Sequence, residues 1–279
     1  MIQVRIHDIA FAHVASLSGL QVPSHFTWCR DKQCNTHNPD IAFFTDCCLA
    51  SVEASNARRK IAWLIEPPTI RGDSYVYARN CPLFDYILSY DRSMASDKRF
   101  LYYAASGCWI RGPGDRRGLP YDVGIYPKRK LISIIASEKQ WLEGHILRHD
   151  IIAKHSTIEA FGNAANRHID EKIEGLRDYM FSVVTENTMV NDLFTEKLVD
   201  CFATGTIPIY WGTKNIGNYF DANGILQFTN LEEFDMIMSQ LSPELYNSKL
   251  QSIQENYNRH FQFRTPEDRI WDHYPFLFQ

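Results

Sequence analysis

The stretch Asp178 to Gly212 reads DYMFSVVTENTMVNDLFTEKLVDCFATGTIPIYWG. It opens on an apolar strand, Tyr179 to Val184. A polar run follows, Thr185 to Lys197, and Phe194 to Ala203 carries a helix. Gly205 stops that helix and permits a tight turn, and Ile207 to Trp211 returns as a second strand. Strand, helix and strand in this order predict an α/β unit with a mostly parallel sheet. Glu186 and Asn187 then fall at a strand's carboxyl end, and Thr195, Glu196 and Lys197 near the first turn of a helix. A helix N-terminus offers free N–H groups and partial positive charge, which suit a phosphate. Lys197 adds a full charge, and Glu196 can accept hydrogen bonds from ribose hydroxyls. This is the layout of a nucleotide site.

The same alternation extends outward. Lys130 to Ala136 is a near-continuous apolar strand, as expected where both faces are covered. Ser137 begins a polar turn, and Gly144 to His155 predicts an amphipathic helix with Ile146, Ile151 and Ile152 inward. Thr157 to Phe161 and Gly224 to Phe228 are further strands, and the chain from Leu231 onward reads as helical. Toward the N-terminus, Ile2 to Ala10, Ile41 to Thr45, Ile61 to Ile65 and Tyr86 to Tyr90 are β-branched or aromatic and bounded by turn residues. Ser51 to Arg59 is helix-compatible. Gly107 to Lys130 is rich in Gly, Pro and Arg without a period, which marks a domain boundary. Its Gly112-Pro113-Gly114 has no Gly-Lys-Ser/Thr after it, so a P-loop is rejected. Two α/β domains are expected, residues 1–120 and 121–279, with a ligand between them.

Composition narrows the function classes. The 279 residues carry a formal net charge of −4, which gives no general pull toward nucleic acid or anionic membrane. No apolar run approaches the ~20 residues of a membrane span, and no signal peptide is read at the start. The expected location is cytoplasmic. Seven cysteines, odd in number, fit reduced thiols. Zinc held by Cys29, Cys34, His37, Cys47 and Cys48 is the alternative, with looser spacing than structural zinc sites show.

The stretch 178–212 resembles the donor-binding signature of the family 10 glycosyltransferases, mainly inverting α-1,3/4-fucosyltransferases of the GT-B fold. The matching residues are Tyr179 and Phe181, Glu186-Asn187-Thr188, Thr195-Glu196-Lys197-Leu198, Thr204-Gly205 and Ile207-Pro208-Ile209. Exostosin-like transferases share a looser version. Ser133 to Ser137 with Arg148 resembles the family's strand, its polar turn and the arginine that reaches the diphosphate. Trp63 to Pro68 resembles its Glu-Pro element, which makes Glu66 the implied catalytic base. An inverting transfer must deprotonate the acceptor hydroxyl as it attacks the anomeric carbon, and the residue before a proline is held extended, which aims Glu66.

The resemblance implies two Rossmann-like domains facing across a cleft. The first would bind an oligosaccharide or glycoprotein glycan acceptor, and the last helix would cross back to it. The second would bind the donor, GDP-fucose-like or UDP-xylose or UDP-galactose. Arg148 and Lys197 would hold the diphosphate, Glu196 the ribose, and Ser137, Glu186, Asn187 and Thr195 would complete the donor pocket. No Asp-x-Asp occurs, so no metal ligand is assigned and no cofactor is required, with stimulation by Mg²⁺ or Mn²⁺ left open. An enzyme made in a bacterial cytosol, or encoded by a virus, fits this reading.

Plainer readings stand beside these. Glu66 could pair with Arg59 or Lys60, and Arg148 with Glu143 or Asp150. Glu196 and Lys197 could be a solvated helix face. His145 and His149 have the i, i+4 spacing of a metal pair but no third ligand in view. The rival function is a non-catalytic nucleotide- or glycan-binding module. A sugar-nucleotide epimerase usually carries G-x-G-x-x-G near its start, and Met1 to Gly19 has none.

Overall fold

The computed structural model describes residues 2–9, 23–30, 40–104, 106–112 and 122–279. Cys34 and His37 of the zinc alternative, and residues 113–121 of the expected linker, lie outside them. The chain forms two compact units, one of Met1–Ala105 with Thr265–Gln279, the other of Ser106–Arg264. The sequence pattern had put the division at 120/121.

In the first unit the strands are β1 (Ile2–His7), β2 (Phe26–Arg30), β3 (Ile41–Thr45), β4 (Arg59–Leu64), β5 (Tyr86–Ser89) and β6 (Phe100–Tyr102), with helix α1 (Pro68–Asn80) after β4. They form one sheet in the order β2-β1-β3-β4-β5-β6, every pair parallel. The alternation of strand side chains divides the core in two. Phe43, Ile61, Trp63 and Leu88 face one layer, and Ala42, Phe44, Ala62, Leu64 and Ile87 the other. Both faces are covered, which is why these strands read as continuous apolar runs.

The second unit contains β7 (Lys130–Ile135), α2 (Glu143–Lys154), β8 (Glu159–Phe161), β9 (Tyr179–Thr185), α3 (Glu196–Ala203), β10 (Ile207–Trp211) and β11 (Leu226–Gln227). Helices α4 (Leu231–Gln240), α5 (Pro243–Asn247) and α6 (Leu250–His260) follow. Its sheet runs β11-β10-β9-β7-β8, again all parallel. Ile132, Ile134, Phe181, Val183, Ile207, Ile209 and Trp211 make its core with Ile151 of α2 and Ile253 of α6. Each large apolar side chain buried fully in this way contributes about 1.5–3 kcal/mol. Ile146, expected inward on α2, is 48% exposed. The inward stripe of α2 begins instead at Leu147, Ile151 and Ile152, a fourth and fifth position apart.

Helix α7 (Pro266–His273) and the 3-10 turn Pro275–Phe278 belong to the first unit. Ile270 and Leu277 are fully buried against Val4, Phe26, Phe43 and Trp63. The Trp28 indole N–H donates to Glu267 at 2.7 Å, and the Arg59 guanidinium donates to the carbonyls of Phe276 and Gln279. Arg59 is thus committed to the C-terminal segment. Cys29 is disulfide-bonded, which departs from the expectation of reduced thiols throughout; Cys47, Cys48, Cys81, Cys108 and Cys201 are free. No helix among the described residues is long and apolar enough to cross a membrane.

Counted within its unit, the first sheet orders its strands 2-1-3-4-5-6 and the second 2-1-3-4-5. In such sheets the connections leave in opposite directions from the first and third strands, which opens a crevice at their carboxyl ends. In the second unit that point lies between β7 and β9.

Candidate functional site

A cavity of about 400 Å³ opens at this switch point. That size suits a small-molecule site. Ile134, Ile135 and Ser137 from the end of β7, Val184, Thr185 and Asn187 from the end of β9, and His145 and Arg148 from α2 line it. Glu196, Lys197 and Asp200 from α3 also line it, as do Trp109, Lys139 and Lys172. Ser137, Arg148, Asn187, Glu196 and Lys197 are therefore brought together, although Ser137 and Lys197 are 60 positions apart in sequence.

Close packing of α2 against β9 builds the upper wall. A Cβ on Gly144 would lie 1.7 Å from the Glu186 carbonyl oxygen, so only glycine permits this approach. The Gly144 N–H donates to the Asn187 carbonyl at 3.2 Å, and its own carbonyl accepts from the Thr185 hydroxyl at 3.1 Å. One turn on, Arg148 donates from Nε to the Gly144 carbonyl at 3.2 Å and from a terminal nitrogen to Asn187 Oδ1 at 3.4 Å. Arg148 is 6% exposed. Burial pulls its pKa below the ordinary arginine value, opposed by Glu186 and Glu196. Its partners are thus pocket groups rather than its helix neighbours Glu143 and Asp150. His145 is buried beside it. Burial first, and then Arg148, lower its pKa to about 4, so the imidazole is neutral. Nε2 of His149 donates to the Ser137 carbonyl at 3.1 Å. Among the described residues no three His, Cys, Asp or Glu side chains are grouped to hold a metal ion.

Helix α3 forms the lower wall. Thr195 caps it, its hydroxyl accepting from the Lys197 N–H at 3.4 Å. Gly205 ends the segment at φ +68°, the left-handed conformation that glycine adopts without strain. Glu186 is wholly buried and does not line the cavity. It accepts from the Thr195 N–H at 2.8 Å and from the Thr195 hydroxyl at 2.7 Å, and lies 3.5 Å from Lys197 Nζ. Alternation explains the split, because Thr185 and Asn187 project to one face of the strand end and Glu186 to the other. Glu186 and Thr195 thus brace α3 beneath the pocket. Glu196, on the pocket face, has a carboxyl that burial works to raise. Lys197 and Lys172 outweigh burial and hold it at about 2. Lys172, Asp200 and Trp109 were not singled out in the sequence. They lie far along the chain from one another and carry no local pattern.

Glu66 belongs to the first unit, two residues past β4. Its backbone is gripped from both sides. The N–H donates to Asp46 Oδ2 at 3.2 Å, and the carbonyl accepts from the Tyr75 hydroxyl at 3.0 Å. Pro67 and Pro68 follow and open α1, proline being suited to a helix start. Asp46 also accepts from the Ile65 N–H at 3.0 Å, and sits at φ +21°, uncommon for a non-glycine residue.

Asp46 is 2% exposed, and burial raises its pKa from 3.8 to about 7 in spite of its two backbone partners. The folded state therefore holds this proton more tightly than the unfolded chain. The contribution to stability is fullest below about pH 4 and is lost as the pH rises through about 7. Its slope is up to about 1.4 kcal/mol per pH unit. Asp46→Asn removes the titration. The difference in Tm between variant and wild type is expected to shift in the variant's favour between these limits; a difference independent of pH would refute a buried, titrating Asp46.

The family described as "Glycosyltransferase family 10 (fucosyltransferase) C-term" matches residues 125–273. A 4-galactosyl-N-acetylglucosaminide 3-alpha-L-fucosyltransferase 9 from Cricetulus griseus is 24% identical over 157 residues, which cover 55% of this chain and 43% of that one. An alpha-(1,3)-fucosyltransferase of Helicobacter pylori is 32% identical over 73 residues, 26% of this chain and 15% of the relative. The chain thus spans less than half the length of these curated relatives. An α1,3-fucosyltransferase solved with GDP-fucose superposes with a TM-score of 0.54 at 18% identity, covering 91% of this chain and 81% of that one. The same kind of enzyme solved with GDP gives a TM-score of 0.52 at 16% identity, with 96% and 93% covered. These likenesses show the fold, two Rossmann-like α/β units of the GT-B type.

Proposed function

Because the chain belongs to glycosyltransferase family 10, we propose that it transfers one sugar, with inversion, from a nucleotide-sugar donor to a glycan hydroxyl. The observation that carries this is the convergence of Arg148, Asn187, Glu196 and Lys197 on one cavity at the switch point of a parallel sheet. Two cations suit a diphosphate, and a carboxylate suits ribose hydroxyls. The donor is GDP-fucose-like, because the curated relatives of this chain are named as fucosyltransferases.

In the reaction the acceptor hydroxyl gives its proton to the Glu66 carboxylate as its oxygen bonds to the anomeric carbon. The bond from that carbon to the diphosphate breaks, and the charge gathers on the leaving phosphate oxygen. Arg148 and Lys197 meet that charge from the wall of the cavity, as cations already fixed where it develops. Asn187, held to Arg148, orients it toward the phosphates. The backbone clamp of Asp46 and Tyr75 keeps Glu66 at one setting while it accepts the proton.

Calorimetric titration with GDP and with UDP, with and without Mg²⁺, tests the reading. GDP binding supports a fucose-type donor. UDP binding keeps the mechanism and moves the donor to xylose or galactose. Binding of neither overturns the site. Binding without turnover of GDP-fucose, UDP-xylose or UDP-galactose favours the non-catalytic module. Lys197→Ala is expected to weaken diphosphate binding by about 10- to 100-fold, the worth of one hydrogen bond to a charged group. An unchanged Kd would remove Lys197 from the site.

A further inference from the structure

Lys172 opens a short 3-10 turn, Lys172–Gly175, ahead of β9, and lines the same cavity. Its ammonium donates to Asp200 Oδ2 at 2.9 Å and lies 3.5 Å from Glu196 Oε1. Lys197 Nζ stands 3.6 Å from that same glutamate oxygen. Trp109 closes the group. Its ring centroid is 4.9 Å from the Lys172 ammonium, and its backbone N–H donates to Asp200 Oδ1 at 2.6 Å. Asp200 is 1% exposed with both oxygens engaged, so it is a fixed anchor for Lys172.

Two lysines thus share one carboxylate oxygen, and they differ in what else holds them. Lys197 is a point charge on a flexible stem at the first turn of α3, and it already touches the Thr195 hydroxyl at 3.0 Å. Its second anion, the Glu186 carboxylate at 3.5 Å, lies beneath α3 and not in the cavity, so a diphosphate would add its charge on the pocket side, where only Glu196 competes for Lys197. Lys172 cannot follow, because Asp200 and the indole face retain it. We propose that Lys172 is a positioning residue: it holds the Glu196 carboxylate for the ribose hydroxyls of a nucleoside diphosphate, leaving Lys197 to the phosphates. The inference rests on the nucleotide-sugar reading of this cavity. It accounts for a half-buried lysine that no step of the transfer uses. It also accounts for Asp200, whose burial would be costly without a cation beside it.

The test separates ribose recognition from general affinity. The wild type is titrated with GDP, UDP and their 2′,3′-dideoxy forms. It is expected to bind the ribonucleotide at least about tenfold more tightly than the dideoxy form. Lys172→Met is expected to weaken the ribonucleotide by about tenfold and to leave the dideoxy form nearly unchanged, so that the ratio approaches one. Lys172→Arg is expected to restore the preference. Lys172→Gln, which can still bond to Asp200, gives the same test where Lys172→Met does not fold. A variant that weakens both forms equally, or that keeps the wild-type ratio, overturns the role of Lys172 alone. A wild type that binds neither GDP nor UDP overturns the nucleotide reading, and this inference with it.

Discussion

Glu66→Gln is expected to lower kcat by about 10²- to 10⁴-fold, the usual worth of a positioned general base. Nucleoside diphosphate affinity is expected to stay at the wild-type value, because the cavity that holds it is built wholly from the second unit. Glutamine keeps the size of the side chain. It also keeps the backbone clamp, since Asp46 and Tyr75 bond to the N–H and carbonyl of position 66 rather than to its side chain. What is lost is the capacity to accept a proton. Full turnover in the variant would show that another group, or water, takes the acceptor proton. A parallel loss of GDP or UDP binding would show that the change reached the pocket by another route.

Glu186→Ala is expected to act on stability, at a cost of about 1–3 kcal/mol, as when buried hydrogen-bonding groups lose their partner. The carboxylate is fully buried and satisfies both the N–H and the hydroxyl of the Thr195 cap. Alanine leaves the Thr195 N–H and hydroxyl proton without their acceptor and removes the anion beneath Lys197, which retains only Glu196. Thermal denaturation should show a drop in Tm on the order of 5 °C. Asn187→Ala, one residue along and lining the cavity, should instead weaken nucleotide binding with little change in Tm. A wild-type Tm for Glu186→Ala together with weakened binding would put Glu186 in contact with the donor.

The contrast between Glu186 and Asn187 marks where local reading ends. Strand β9, helix α3 and strand β10 were legible because each carries its own signal: an apolar run, a Thr cap with acidic and basic residues after it, and Gly205 at a positive φ. Strand β2 was not, since Phe26–Arg30 alternates weakly and owes its burial to Phe278 and Trp271, which arrive from the other end of the chain. Helix α1 was also missed. Its start was legible in Pro67-Pro68, but its face is sparse, with Ser74, Tyr75 and Ala78 buried and Arg71 out of helical geometry.

By itself the sequence determined the α/β alternation, the βαβ unit of residues 178–212 and the residue types at its strand ends. Periodicity, capping and glycine act within a few residues of where they are written. Only the tertiary structure decided which carboxylates face the cavity and which brace it, that Arg148 turns to Asn187 rather than along its own helix, and that Lys172, Asp200 and Trp109 join Glu196. Those outcomes depend on which way a strand end projects and on which distant segment is packed against it, and no local pattern encodes either.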